Sequence, residues 1–177
     1  MTKKRFGRLF VAAALAVSLI AGAFAQMGVQ GALDADAASV ISWSKARTIF
    51  VNKVPGNGGI KYLRLTTDDG TRVYVGKAVY NNRLYSIEMN AYTGKVREFE
   101  SDYIGSRYTA SSVGAVSKAT ITKKLKKEVP GGTILYVRLT RDDGRYIYEA
   151  EVYKKGYEYE FEYSKRGALI DYDMDRV

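Results

Sequence analysis

The sequence predicts an α+β protein built of two repeats, each one N-terminal helix packed on a four-stranded antiparallel sheet. Three observations carry this. The stretch "WSKARTIFVNKVPGNGGIKYLRLTTDDGTRVY" (43–74) recurs as "VSKATITKKLKKEVPGGTILYVRLTRDDGRYIY" (116–148), with Ser44/Ser117, Lys45/Lys118, Ala46/Ala119, Val54/Val129, Pro55/Pro130, Arg64/Arg138, Leu65/Leu139 and Tyr74/Tyr148 in the same order. In each copy, apolar residues at three- and four-residue steps come first and period-two stretches come after them. Dipeptides of the kind that closes tight hairpins separate those stretches.

The chain opens with Lys3, Lys4, Arg5 and Arg8, then an uncharged apolar run from Leu9 to Ala25. This is the n-region and h-region of a secretory signal peptide. Small-x-small cleavage sites end at Ala25 ("AFA") and Ala37 ("ADA"). Retention as an anchor is the alternative, because the run is only slightly short of the ~20 apolar residues a spanning helix needs. Residues 1–37 are therefore read as signal peptide and spacer, and the rest as secreted or extracytoplasmic.

Repeat 1 occupies 39–103. Its helix carries Trp43, Ala46, Ile49, Phe50 and Val54 on one stripe and ends at "VPG", because proline disfavours helical geometry in the residue before it. Turns at Asp69-Gly70, Asn81-Asn82 and Thr93-Gly94 divide the remainder of the repeat into four strands, the last short. The small, polar "IGSRYTASS" (104–112) is a linker. Repeat 2 occupies 113–177, with Val116, Ala119, Leu125 and Val129 on its helix stripe and turns at Asp143-Gly144, Lys155-Gly156 and Arg166-Gly167.

Two-residue loops set the register of a hairpin. In repeat 2, Leu139 should then face Tyr148, Val137 Ala150 and Leu135 Val152, while across the next hairpin Val152 faces Tyr159, Ala150 Phe161 and Tyr148 Tyr163. Ile170, Tyr172 and Met174 join this side, which the helix must cover. The other side collects Glu149, Glu151, Glu158, Glu160, Glu162, Asp171, Asp173 and Asp175 with Arg138. Carboxylates opposed in a sheet repel, so such a face is either solvated or has a cationic partner.

In repeat 1 the same exercise puts Leu63, Leu65, Tyr74, Ala78, Tyr85, Ile87 and Met89 under the helix. Ile60, Tyr62, Val73, Val75, Val79 and Leu84 lie on the other side with Arg64 and Lys77. An apolar area of that size marks a contact surface, covered by repeat 2 or the linker, or offered to a partner. The candidate partner-binding residues are Tyr62, Arg64, Val75 and Lys77 in repeat 1 and Tyr136, Arg138, Glu149, Glu151 and Glu160 in repeat 2.

Composition excludes several functions. With no cysteine and no histidine, there is no disulfide framework, no lipid-modified cysteine, no thiolate or imidazole metal site and no Cys-His or Ser-His catalysis. Removing residues 1–37 takes four of the 28 Lys+Arg and two of the 19 Asp+Glu, leaving a mild net +7. Lys123, Lys124, Lys126 and Lys127 form a basic helix face with no interleaved aromatic to stack on bases, so nucleic acid is not expected. A glycosidase-like carboxylate pair needs a desolvated cleft, and a flat open face has none. Asp171, Asp173 and Asp175 lack the loop and glycine of known calcium loops. No catalytic residue, metal or cofactor is expected.

The order "SxxKA…VPGG…V-x-L-x-x-DDG-x-x-Y-E-x-E-V" followed by "NAYTGKV" (90–96) resembles the PepSY domain family, twice over nearly the whole chain beyond the signal. Asn90 stands where that family usually has Asp, and "YSKRGALI" replaces the closing turn in repeat 2. The resemblance implies one helix on an antiparallel sheet, no catalytic residues, and a role like that of PepSY units in propeptides of thermolysin-like metallopeptidases, which help inhibit and fold the enzyme. The expected function is a secreted, non-enzymatic binding module whose partner is a secreted or envelope protein such as a peptidase. The alternative is an envelope-associated protein whose four lysines hold anionic wall polymer or lipid headgroups.

Overall fold

The computed structural model describes residues 39–177. The N-terminal apolar stretch and both candidate cleavage positions lie outside the described residues. Helix α1 (Trp43–Lys53) leads into β1 (Gly59–Asp68), β2 (Thr71–Tyr80), β3 (Arg83–Asn90) and β4 (Val96–Tyr103); α2 (Lys118–Glu128) leads into β5 (Thr133–Asp142), β6 (Arg145–Lys154), β7 (Tyr157–Ser164) and β8 (Leu169–Arg176). Each set of four strands is its own antiparallel meander, β1-β2-β3-β4 and β5-β6-β7-β8. The last strand of each is eight residues, as long as the third, and so is not the short strand the turn spacing suggested.

Serines cap both helices. The Lys45 N–H donates to Ser42 Oγ and the Thr120 N–H to Ser117 Oγ, each at 3.2 Å. The matching serines are thus Ser42 and Ser117, not Ser44 and Ser117. Aligned on the caps, Ala46 corresponds to Ile121, Phe50 to Leu125 and Val54 to Val129, all buried, whereas Ala119 is exposed and Trp43 is half-exposed with its indole N–H on the Leu63 carbonyl at 3.2 Å. An N-cap serine is worth about 1 kcal/mol. Ser42→Ala and Ser117→Ala should each lower stability by about that amount in urea unfolding, and Ser44→Ala should not.

The hairpins close as the dipeptides require. Asp69-Gly70, Asn81-Asn82, Asp143-Gly144 and Lys155-Gly156 all have positive φ at both residues, the condition for a type I′ turn, whose twist matches that of the strands. Tyr148 accordingly faces Tyr163, Ala150 faces Phe161 and Val152 faces Tyr159. Each first hairpin also holds a bulge, between Ile60 and Tyr62 and between Ile134 and Tyr136. The bulge turns Ile60 under α1, opposite Ala78, and places Ile134 rather than Leu135 opposite Val152. A second bulge precedes each last strand's pairing and takes Ile170 out of register, so that Leu169 meets Tyr163.

Below α1, Ala46, Phe50 and Val54 pack on Tyr74, Ala78, Tyr85, Ile87 and Met89. Below α2, Ile121, Leu125 and Val129 pack on Val137, Leu139, Tyr148, Ala150, Val152, Phe161 and Tyr163. Of the aromatics of "YEYEFEY", Phe161 and Tyr163 are buried under α2 and Tyr159 partly so, while Tyr157 at the start of the strand is exposed. The Tyr74 hydroxyl donates to the Ile41 carbonyl and that of Tyr148 to the Val116 carbonyl, which ties the chain entering each helix to its sheet. In repeat 1, Asn90 Oδ1 closes the last turn by accepting from the N–H groups of Tyr92 and Thr93. In repeat 2, Ser164 Oγ does this by accepting from Ala168 N–H at 3.0 Å.

Candidate functional site

The two sheets face each other on the sides away from their helices. Tyr62 and Leu84 of the first sheet, Leu135 of the second and Ile104 of the linker form a buried cluster, with Val75, Val79, Tyr136 and Tyr153 packed against it. The rings of Tyr62 and Tyr153 stack with centroids 4.0 Å apart. Leu135, freed from the helix side by the bulge, fills this seam. The apolar side of the first sheet is therefore covered by repeat 2, and the acidic side of the second has a cationic partner in the same chain.

That partner is Lys77. It is 4 % exposed, and it ion-pairs with Glu151 (2 % exposed) and, at 2.7 Å, with Glu158 Oε1 (1 % exposed). The Tyr62 hydroxyl donates to the same Glu158 oxygen at 2.8 Å. Burial pushes the Tyr136 phenol up, and the Glu151 carboxylate adds to the shift, so Tyr136 keeps its proton. Around this centre Arg64 reaches the Gly156 carbonyl at 3.1 Å, and Arg138 pairs with Glu149 and donates to the Tyr103 carbonyl at 2.6 Å. At the far end of the seam face, burial raises the Glu88 carboxyl against the opposing pull of Arg97, 3.0 Å away.

The residues singled out as partner-binding thus meet one another. Lys77, Glu151 and Tyr62 are enclosed, and Arg64, Val75, Tyr136, Arg138, Glu149 and Glu160 are half-buried on the same two faces. Of the readings given for the apolar side, cover by repeat 2 is the one seen: two faces of opposite character close on each other within the chain. A Val75→Glu change would set a carboxylate against this seam and should destabilise the protein. The linker also takes part, through Ile104 and through Ser106 Oγ, which accepts from the Leu139 N–H of edge strand β5 at 3.0 Å.

The outer surface has a different character. Lys123, Lys126 and Lys127 are exposed on α2 and Lys124 is half-buried. Strands β4 and β8 are exposed along nearly their whole length. Each alternates acids, Glu98, Glu100 and Asp102 or Asp171, Asp173 and Asp175, with larger side chains on the helix side, Phe99 and Tyr103 or Tyr172 and Met174. A shallow groove between the end of α2 and the last two strands is lined by Glu128, Val129, Tyr159, Phe161, Leu169 and Tyr172. Asp171, Asp173 and Asp175 lie on the same side of the second sheet as Glu158, Glu160 and Glu162, but on its exposed last strand. Among the described residues no cluster of acids has the arrangement to hold a metal ion, and no helix is long and apolar enough to cross a membrane.

The family model described as the peptidase propeptide and YPEB domain, PepSY, matches residues 40–100 and again 115–175. The Bacillus subtilis (strain 168) protein YkoJ is 32 % identical over 120 residues, spanning 57 % of this chain and 71 % of that one. A crystal structure of the Clostridium difficile 630 protein CD1622 aligns with 20 % identity and a TM-score of 0.35, covering 76 % of this chain and 93 % of that one.

Proposed function

This chain belongs to the PepSY family, carrying its domain twice, and from that premise we propose that it is a non-enzymatic binding module that regulates an extracytoplasmic peptidase. The twofold match to a domain of peptidase propeptides is the observation that carries the reading. The chemistry of the fold supports it. Glu151 and Glu158, which share Lys77, are enclosed between the two sheets, where no substrate can reach them. A hydrolytic pair needs one carboxyl in a cleft open to substrate.

A binding role uses outer surfaces on a rigid frame, and the seam supplies the frame. The test is incubation of the purified protein with the peptidases its host secretes. The expected result is a complex by size-exclusion chromatography together with reduced peptidase activity; retention of full activity with no complex counts against the proposal. The exposed Lys123, Lys126 and Lys127 favour envelope contact as a second reading. Binding to isolated envelopes should then weaken steeply as salt rises, because exposed charges more than ~8 Å apart are screened at physiological ionic strength.

A further inference from the structure

Of the four sheet edges, two are engaged by their own chain: β1 gives its Leu63 carbonyl to Trp43, and β5 gives its Leu139 N–H to Ser106. The end of β4 gives its Tyr103 carbonyl to Arg138. The outer edge of β8 has no such contact from elsewhere in the described residues. Its polarity is set by the ladder. Val177 N–H donates to the Gly156 carbonyl at 2.9 Å, and bonded pairs alternate along an antiparallel pair. Asp171, Asp173 and Asp175 therefore turn their backbone groups toward β7, and Tyr172, Met174 and Arg176 turn theirs outward. The outward N–H groups of Tyr172 and Met174 are held by the side chains just before them, Asp171 Oδ1 at 2.9 Å and Asp173 Oδ1 at 2.8 Å.

We propose that the outer edge of β8 is a docking edge for an extended segment of another protein that carries basic side chains at alternate positions and apolar ones between them. The aspartates are the selectivity device. While they cap the edge N–H groups, a neutral strand must compete with a carboxylate for each bond. A strand bearing lysine or arginine on the acidic side draws those carboxylates away and frees the N–H groups for its own carbonyls, the main-chain pairing that gives strand addition its affinity. On the other side its apolar residues lie beside Tyr172 and Met174, 48 % and 46 % exposed, and over the groove that Phe161 and Leu169 help to line. A second copy of this chain is the wrong occupant, because two β8 edges would set aspartate against aspartate.

The inference deepens the reading as a binding module and rests on it, and its probe is a peptide, so failure to capture a peptidase and failure of this edge are separate outcomes. Fluorescent peptides of about nine residues alternating valine with lysine, serine or glutamate are titrated against the purified protein at low salt by anisotropy. The lysine peptide should bind about tenfold more tightly than either of the others. N-methylation of its edge-facing amides should abolish binding, and D171N/D173N should bring the lysine-to-serine preference close to one while the unfolding midpoint stays unchanged. Equal binding of the lysine and glutamate peptides, undiminished binding of the N-methylated peptide, or a preference that survives in D171N/D173N would overturn the proposal.

Discussion

Replacing Lys77 with methionine is expected to lower the unfolding midpoint by about 10–20 °C, the equivalent of about 3–5 kcal/mol. The side chains are nearly matched in length, so packing changes little and the electrostatic loss dominates. Glu151 and Glu158, both enclosed, would be left in a low-dielectric seam without the ammonium they share. Removing one partner of a buried ion pair costs more than the pair contributes, because an uncompensated charge stays behind. The penalty should shrink as pH falls into the carboxylate range, since protonation of the stranded acids removes the charge that burial disfavours. A packing defect would not respond to pH. Conversely, the quadruple change Lys77→Met, Glu151→Leu, Glu158→Leu and Tyr62→Phe should recover much of the lost stability, because apolar replacement of both signs of a buried ion pair together is often neutral or favourable. A Lys77→Met midpoint within about 2 °C of the parent by differential scanning calorimetry would show that the seam does not depend on this cation.

The same cluster shows where the sequence stops being legible. Register within each hairpin can be read because it is local: the Asp-Gly and Lys-Gly turns force positive φ at two residues and thereby set Tyr148 against Tyr163 and Ala150 against Phe161. The bulges cannot be read, since Lys61 and Leu135 sit at the extra positions with no glycine to mark them, and an unbroken register puts Ile60 and Leu135 on the wrong faces. Matching "SKA" with "SKA" shifts the helix alignment by two residues, because the physical landmark is the capping serine and not the shared triplet. The contrast between an apolar face carrying Lys77 and Arg64 and an acidic face is visible in the strands. That the two faces meet is not, because Lys77 and Glu151 are 74 residues apart and Tyr62 and Glu158 are 96, and no local rule couples such distant positions. Single buried cations in otherwise apolar strands are the trace such a closure leaves in a sequence.

Truncating Phe50 to alanine should cost about 3–5 kcal/mol, but the informative experiment pairs it with Gly76. Phe50 is fully buried, and a Cβ built on Gly76 would lie 3.1 Å from its ring, 3.0 Å from Leu63 Cδ1 and 2.8 Å from the Tyr62 carbonyl. At the corresponding places repeat 2 has Leu125 and Ala150, a smaller helix residue above a larger strand residue. The two copies thus fill one layer of the same core with opposite divisions of volume. Gly76→Ala alone should destabilise by about 1–3 kcal/mol through overpacking, and Phe50→Leu alone by a comparable amount through the space it leaves. Made together, they reproduce the division used in repeat 2, and their summed cost should fall short of additivity by at least about 0.5 kcal/mol in a double-mutant cycle. Full recovery is not expected, because the Tyr62 carbonyl presses on position 76 whatever lies above it. Strict additivity would mean that the ring of Phe50 and the bare Cα of Gly76 are independent solutions, and that the resemblance between the two cores stops at the level of the fold.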